Sequence, residues 1–256
     1  MDSFIGWIGG KRLLRNEIIA RFPKETPSRY IEVCGGAGWV MFKKDKIKNQ
    51  IEVFNDIDSN LINLYRCIKY HPEAVKKELE YMLQSREMFF DLKDQINVRG
   101  LTDIQRAARY FYLIKFSFGC DKRTYATRPK TLANTLERFA DVQERLNGVL
   151  IENRDFESLI KLYDSKDALF YVDPPYYGTE KYYDDNGSPF HQEDHKRLKE
   201  CLSKIKGKFI LSYNDDDFIR NLYSGYNIEG VTRDNSLVRN GKDNHKYAEL
   251  IIRNYE

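Results

Sequence analysis

What the chain lacks narrows its chemistry first. Its four cysteines, Cys34, Cys67, Cys120 and Cys201, are scattered, with no C-x-x-C pair and no metal-ligand spacing. That argues against a disulfide framework or a thiolate zinc site, and they read as reduced, mostly buried thiols. Long hydrophobic runs are missing too, the apolar stretches being far too short to cross a bilayer, so no membrane partner is expected. The start, MDSFIGWIGGKRLL, lacks the basic-then-apolar layout of a secretory signal, and a cytoplasmic location is the expectation. Histidine is scarce, at four residues. His191 and His195 stand four apart on a predicted helix, but H-Q-E-D-H is not H-E-x-x-H and no third ligand is identified, so no metal is expected. No G-x-x-x-x-G-K-[ST] occurs, which argues against a phosphate-loop nucleotidase, and Lys11 in GGKR imitates that loop only at the wrong spacing. A net charge of +3 is too small to settle a nucleic-acid partner, so the distribution of charge matters more than its sum.

What is present reads as an α/β protein. With 256 residues, 41% of them apolar and 32% charged, the chain is long enough for one large domain or for a core domain carrying a smaller insert. RYIEVC at 29–34 is a short strand running into Gly35, Gly36, Ala37 and Gly38, with a helical WVMFKK behind it. IEVFN at 51–55 is a second strand ending at Asp56, and the spacing of Leu61, Leu64, Tyr65 and Ile68 predicts a helix. Residues 73–116 read as helical, with Val75, Leu79, Met82 and Phe89 on one face and a Thr102/Gln105 capping box opening a helix that runs to about Phe116. Glycine, proline, threonines and bases break the pattern at 117–135, an irregular loop within the insert. Strand patterns return in GVLIENRDF, ALFYV and KFILSY, with a helical 191–205 between the last two. After an Asn240-Gly241 turn, KYAELIIRN predicts a final antiparallel strand at or near the sheet edge. Strands alternating with helices imply a mostly parallel sheet. The expected division is a core made of 1–68 and 148–256, with a helical insert at 69–147.

The strand ends carry the chemistry. Leu169 to Val172 form an apolar run without alternation, as in a strand covered on both faces, and Asp173 follows at the carboxyl end, where ligands of open α/β sheets gather. Pro174 pushes Asp173 towards extended backbone, and neither Pro174 nor Pro175 offers an amide hydrogen. The outcome is a stiff rim of carbonyls, one carboxylate and tyrosine faces, suited to a flat group bearing an amine. At the first strand, a glycine turn permits close approach of a ligand to backbone and to a helix N-terminus. Asp56, 18 residues beyond Gly38, is placed like the acid that takes ribose hydroxyls in nucleotide-binding α/β folds. Because the sheet ends in Glu32, Asp56, Asp155 and Asp173 rather than in bases, a polyphosphate would be repelled. S-adenosylmethionine, a nucleoside with a sulfonium centre, suits that field better than ATP or NAD.

In this order the motifs resemble the Dam-type, D12-class DNA adenine-N6 methyltransferases over essentially the whole chain. The matching pieces are WIGGK at 7–11, EVCGGAG at 32–38, NDID at 55–58, RDF at 154–156, DPPY at 173–176, ILSYND at 210–215 and AELII at 248–252. The glycine motif precedes a long insert and then DPPY, as in the α group, whose target-recognition domain occupies the insert. The resemblance implies a Rossmann-like S-adenosylmethionine-dependent methyltransferase sheet with an inserted, mainly helical target-recognition domain. It also implies S-adenosylmethionine as cofactor, no metal, and double-stranded DNA as the partner whose flipped-out adenine is methylated at N6. By position, Trp7, Lys11, Gly35, Gly38, Asp56 and Asp173 should touch the cofactor, with Glu32 at its methionine end and Asp155 and Phe156 at its adenine. Asp173, Pro174, Pro175 and Tyr176 should form the catalytic set. One departure is that the family's usual phenylalanine before the first glycine is not evident in E-V-C-G, where Cys34 stands nearest. Amide- and guanine-modifying relatives carry N-P-P-Y or related variants, so Asp173 and the insert favour adenine in DNA over cytosine N4, RNA or a protein amide.

Between 101 and 130 seven bases stand against two acids, interleaved with six aromatics, a pattern suited to phosphate contacts plus stacking. The expected DNA contacts in the loop are Lys122, Arg123, Tyr125 and Arg128. A second basic stretch, Arg233, Arg239, Lys242 and Lys246, could be a hairpin touching a groove through Arg239 and Lys242, or a charged edge guarding the sheet against aggregation.

Overall fold

Continuous apolar runs become central strands because both of their faces are covered. The computed structural model describes residues 1–180, 190–234 and 246–256. Its strands are β1 (Arg29–Glu32), β2 (Ile51–Asn55), β3 (Leu150–Glu152), β4 (Ala168–Val172), β5 (Lys208–Asn214), β6 (Asn227–Asp234) and β7 (Lys246–Arg253). They form one sheet in the order β3-β2-β1-β4-β5-β7-β6. The first five are parallel, and β7 runs antiparallel between β5 and β6. All of β4 is buried, as its composition predicts. The final strand is antiparallel and one place in from the edge. The edge itself is β6, which the sequence does not announce: its NIEGVTRD offers no apolar run, because an edge strand here is half-solvated.

The helices are α1 (Arg15–Ala20), α2 (Trp39–Lys43), α3 (Ser59–Tyr70), α4 (Pro72–Glu80), α5 (Arg86–Asp94), α6 (Asp103–Phe116), α7 (Ala133–Leu136), α8 (Phe139–Leu146), α9 (Phe156–Tyr163), α10 (Gln192–Leu202) and α11 (Asp217–Leu222). The capping box that opens α6 is present: the Thr102 hydroxyl accepts from the Gln105 amide at 3.2 Å, and the Gln105 side chain accepts from the Thr102 amide at 3.2 Å. Asp58, the second acid of NDID, caps α3 by accepting from the amides of Asn60 and Leu61. The Tyr110 hydroxyl donates to the same carboxylate and so ties α3 to α6.

Two apolar cores flank the sheet. One is built from Ile31, Val33, Val53, Phe170 and Val172 against α9, α10 and α11. The other begins on the opposite face with Tyr30, Phe54, Leu169 and Tyr171 and passes without a break through α3 into Phe89, Phe111, Phe139 and Leu146 of the helical segment. The helices of 69–147 therefore share a core with the sheet. Of the cysteines expected to be mostly buried, only Cys67 is fully so; Cys34, Cys120 and Cys201 are half-buried at element ends, where apolar cover is incomplete. Burial pushes all four thiols above their ordinary value, so none supplies a thiolate nucleophile at neutral pH.

β2 and α8 are also joined by charge. The Glu52 carboxylate accepts from Lys44 Nζ at 2.5 Å and from Arg145 Nη1 and Nη2 at 2.7 and 2.8 Å, and Arg145 donates to the Met41 carbonyl at 2.6 Å. All three side chains are nearly dry. Removing the acid strands two cations, so Glu52→Ala should cost about 3–5 kcal/mol in denaturant unfolding. A loss below about 1 kcal/mol would mean that this cluster behaves as an exposed pair does.

Candidate active site

The strand order reverses between β1 and β4, one leading outward to β2 and the other to β5, and a crevice opens beyond the carboxyl ends at such a point. It holds a cavity of about 400 Å³. The N-terminal segment contributes Trp7 and Lys11, and the end of β1 contributes Glu32, Cys34, Gly35 and Gly36. β2 brings Asn55 and Asp56, the loop after β3 brings Asp155 and Phe156, and the rim after β4 brings Asp173, Pro174, Pro175 and Tyr176. Each expected cofactor or catalytic residue lines this one cavity except Gly38. That residue is the N-cap of α2, with φ at +65°, a conformation glycine adopts without strain.

The glycine turn is shaped by aromatic rings. A Cβ on Gly35 would lie 2.2 Å from the Phe54 ring of β2, whereas Cys34 packs against the core on the other face of the sheet. Gly36, at φ +50°, would strike Trp7, and its amide donates to Asp56 Oδ2 at 2.9 Å. The Asp58 amide donates to Asp56 Oδ1, also at 2.9 Å. Burial, aided by the nearby Asp58 charge, pushes the Asp56 carboxyl up to about 6. Glu32 is drier still. Tyr30 donates a hydroxyl to it at 2.8 Å, yet burial outweighs that bond and drives the Glu32 carboxyl to about 8.

Asp155 caps α9 by accepting from the Glu157 amide at 3.0 Å. Arg197 of α10 grips both its oxygens, at 3.0 and 2.8 Å, and lies 4.1 Å above the Phe156 ring. Sequence reasoning missed Arg197, since nothing in a solvated-looking helix face marks it. It also missed Asn55, whose amide donates to the Val33 and Arg154 carbonyls at 2.8 and 3.0 Å and accepts from the Arg154 amide at 2.8 Å. A buried asparagine ending an apolar strand was the available signal.

At the rim, the Lys11 ammonium pairs with Asp173 Oδ1 at 2.8 Å, donates to the Gly9 carbonyl at 2.6 Å and stands 4.5 Å over the Tyr176 ring. Burial raises the Asp173 carboxyl while Lys11 opposes the rise. The Tyr176 hydroxyl donates to Glu249 of β7, which also accepts from Arg233. Glu249, like Ser212 on β5, is a buried polar residue within the apolar middle of its strand.

The expected DNA residues lie elsewhere. The loop after α6 is ordered by an antiparallel bridge between Ser117 and Tyr125 and by Asp121 accepting from the amides of Arg123 and Thr124 at 2.9 Å. Lys122 turns back to the cavity side, 4.3 Å over the Trp7 ring. Tyr125 packs against Phe89 and under Arg86. Arg123 is half-buried, whereas Arg128 and Phe118 are exposed. Arg239 and Lys242 lie outside the described residues. His195 is fully buried, with Nδ1 2.7 Å from the Tyr213 hydroxyl and Nε2 2.9 Å from Glu180.

The bonds of Asn55 can be tested directly. Asn55→Ala leaves the Arg154 amide without its acceptor and two carbonyls without donors, so it should destabilise the protein by about 1–3 kcal/mol. Because the loop it holds carries Asp155 and Phe156, the chemical shifts of those two residues should move in the folded variant; unmoved shifts would show that the loop holds itself.

Comparison with known proteins gives the family of the chain. The family model of the D12 class N6 adenine-specific DNA methyltransferases matches residues 7–236. A type II methyltransferase, M1.LlaDCHI of Lactococcus lactis subsp. cremoris, is 28% identical, the alignment covering 100% of this chain and 96% of the relative. A type II methyltransferase of Paramecium bursaria Chlorella virus NC1A, M.CviBI, is 25% identical with both chains fully covered. A DNA adenine methylase of Vibrio cholerae is 24% identical over 97% of this chain and 94% of its own. The chain belongs to the D12 class of N6 adenine-specific DNA methyltransferases and is an S-adenosylmethionine-dependent enzyme that methylates adenine in DNA at specific sites.

Proposed function

We propose that the cavity takes the cofactor between Trp7, Glu32, Asp56 and Phe156 and a flipped-out adenine at Asp173, Pro174, Pro175 and Tyr176. The observation that carries this reading is that one continuous cavity is lined by both sets. Its lining fits the cofactor: glycines stand where a Cβ would collide, and carboxylates outnumber the cations Lys11, Arg154 and Arg197. Bound there, S-adenosylmethionine supplies an electrophilic methyl group. Asp56 accepts from hydroxyl donors, Glu32 faces positive charge, and Asp155 with Phe156 and Arg197 frames an aromatic ring.

The adenine N6 lone pair is delocalised into the ring and is a poor nucleophile. The Asp173 carboxylate and the Pro174 carbonyl accept its two hydrogens, which favours a pyramidal nitrogen with its lone pair directed into the cavity. Tyr176 supplies a stacking face, held by Glu249 at its hydroxyl and by Lys11 above its ring. Rate then comes from positioning and preorganised charge, and no covalent intermediate with the protein is required. A base inside a duplex cannot reach such a rim, so the nucleotide leaves the stack first. Residues 69–147 serve target recognition while 1–68 and 148–256 do the chemistry. Arg128, Arg123 and the exposed Phe118 form the side of the loop that meets DNA, and Lys122 lies between that loop and the cofactor's wall.

Methylation-sensitive sequencing of DNA treated with the protein and S-adenosylmethionine tests the reading. Tyr176→Ala should keep cofactor affinity and lose transfer; normal turnover would remove Tyr176 from the base site. Glu32 carries a pH signature. Burial pushes its carboxyl up to about 8, so near pH 7 it is mostly protonated, and a cationic ligand favours the charged form. Cofactor binding should therefore release a proton, and affinity should rise as pH passes from about 7 through 8. Calorimetry in buffers of different ionisation enthalpy should find that release lost in Glu32→Gln. For the loop, Arg123→Ala with Arg128→Ala should weaken DNA binding but not cofactor binding, each lost phosphate contact flattening the log K against log salt plot by roughly 0.9. An unchanged slope would remove these arginines from the DNA-contacting set.

A further inference from the structure

Ser212 has no obvious place in the strand that carries it. β5 is apolar and buried from Phe209 to Tyr213, and Ser212 is 1% exposed within it. A hydroxyl there costs stability unless it is bonded, and an alanine or valine would pack without that condition. Its neighbours explain it. Val172 of β4 pairs with Leu211 of β5, so the next step along both strands sets Asp173 beside Ser212. The Ser212 hydroxyl has one proton to give; it lies 2.8 Å from Asp173 Oδ1 and 3.4 Å from the Val172 carbonyl, so the carboxylate takes it. The Tyr171 hydroxyl lies 3.4 Å from Ser212 Oγ, on the accepting side that this donation leaves over.

Lys11 bonds the same oxygen, Oδ1, at 2.8 Å. Two donors thus converge on one oxygen of Asp173, and no described residue donates to the other. The side chain is 18% exposed and lines the cavity. We propose that Ser212 is a positioning residue for methyl transfer: together with Lys11 it holds Asp173 by Oδ1, fixing the carboxylate plane and leaving Oδ2 as the acceptor for the target amino group. The inference rests on the reading of Asp173 as that acceptor. It deepens the reading by separating the two oxygens, with Oδ1 anchored to the protein and Oδ2 kept for substrate. A carboxylate free to rotate would present either oxygen at variable angle, and a misplaced acceptor loses the geometry on which displacement depends.

The test uses the full chain with Ser212→Ala, Ser212→Thr and Asp173→Asn, read by single-turnover methylation across pH, cofactor calorimetry and thermal unfolding. Ser212→Ala should bind cofactor within about twofold of the parent but transfer methyl on the order of ten- to a hundredfold more slowly, the factor for a lost hydrogen bond to a charged group. Its acid limb should move to higher pH, because the hydroxyl favours the charged carboxylate and its loss raises the pH at which the acceptor is protonated. The other titratable groups facing Asp173 are Lys11, Glu32 and Cys34, Tyr171 and Tyr176, Tyr213 on β5 and Glu249 on β7, and they are common to parent and variant. Ser212→Thr keeps the hydroxyl on a β-branched side chain that suits a strand, and should recover rate and acid limb together. A parental rate in Ser212→Ala, or a slower rate with an unmoved acid limb, overturns the proposal and leaves Ser212 to packing. Parental turnover in Asp173→Asn overturns the underlying reading, whatever Ser212 does.

Discussion

Taking a carboxylate out of water costs several kcal/mol even after the surroundings relax, and this protein gathers Glu32, Asp56, Asp155 and Asp173 along one edge of its sheet. Much of the site is built around holding that charge. Asp56 receives two backbone amides, Asp155 a guanidinium and an amide, and Asp173 an ammonium and a hydroxyl. Glu32 receives a phenol and the Met41 amide, and burial still pushes its carboxyl up to about 8. Each acid thus has donors of its own, and Glu32, the driest of them, is the one whose charged form burial opposes most. Negative charge gathered in this way would repel a triphosphate and attract a cationic group.

Shape does the rest of the selection. Phe54 and Trp7 press on Gly35 and Gly36 closely enough that any side chain there would displace a ring. The helical segment does not stand apart from this arrangement, because its Phe111, Phe139 and Leu146 share a core with Tyr30, Phe54 and Tyr171. Glu52 then bolts α8 to β2 with buried charge. One shared core means that the helical segment and the sheet should unfold as one cooperative unit, which gives that segment a fixed frame relative to the cavity.

Much of this is legible in the sequence, and the reasons are physical. Continuous apolar runs mark the buried parallel strands, and the carboxylates at their ends mark the cavity, because a side chain just past a strand's carboxyl end has little choice about where it points. The capping box at Thr102 announces α6 through chemistry internal to four residues. Less legible is whatever depends on a distant partner. β6 lacks an apolar run because water covers its outer edge. Arg197 looks like any charged residue of a surface helix until Asp155 and Phe156, some forty positions away in the chain, are brought beneath it. Ser212 and Glu249 are visible as polar residues within apolar strand motifs, yet their roles follow only from register. The seats of Lys122 over Trp7 and of Tyr125 against Phe89 are likewise invisible in composition, which reports a side chain's charge or ring and not its direction.

The loop after α6 holds Cys120 and Lys122 at φ of +63° and +61°, a region that side chains with a Cβ enter at a cost of about 1–3 kcal/mol. Glycine at either position would relieve that strain, yet neither is glycine. The Cys120 thiol packs where a Cβ on Gly6 would sit, and the Lys122 ammonium covers Trp7, so both strained residues press the loop onto the N-terminal segment that walls the cavity. For anyone engineering a hardier enzyme, this is the wrong place to look for easy stability. Glycine substitutions there would ease the backbone but give up the thiol and ammonium contacts that hold this loop against the wall of the cavity.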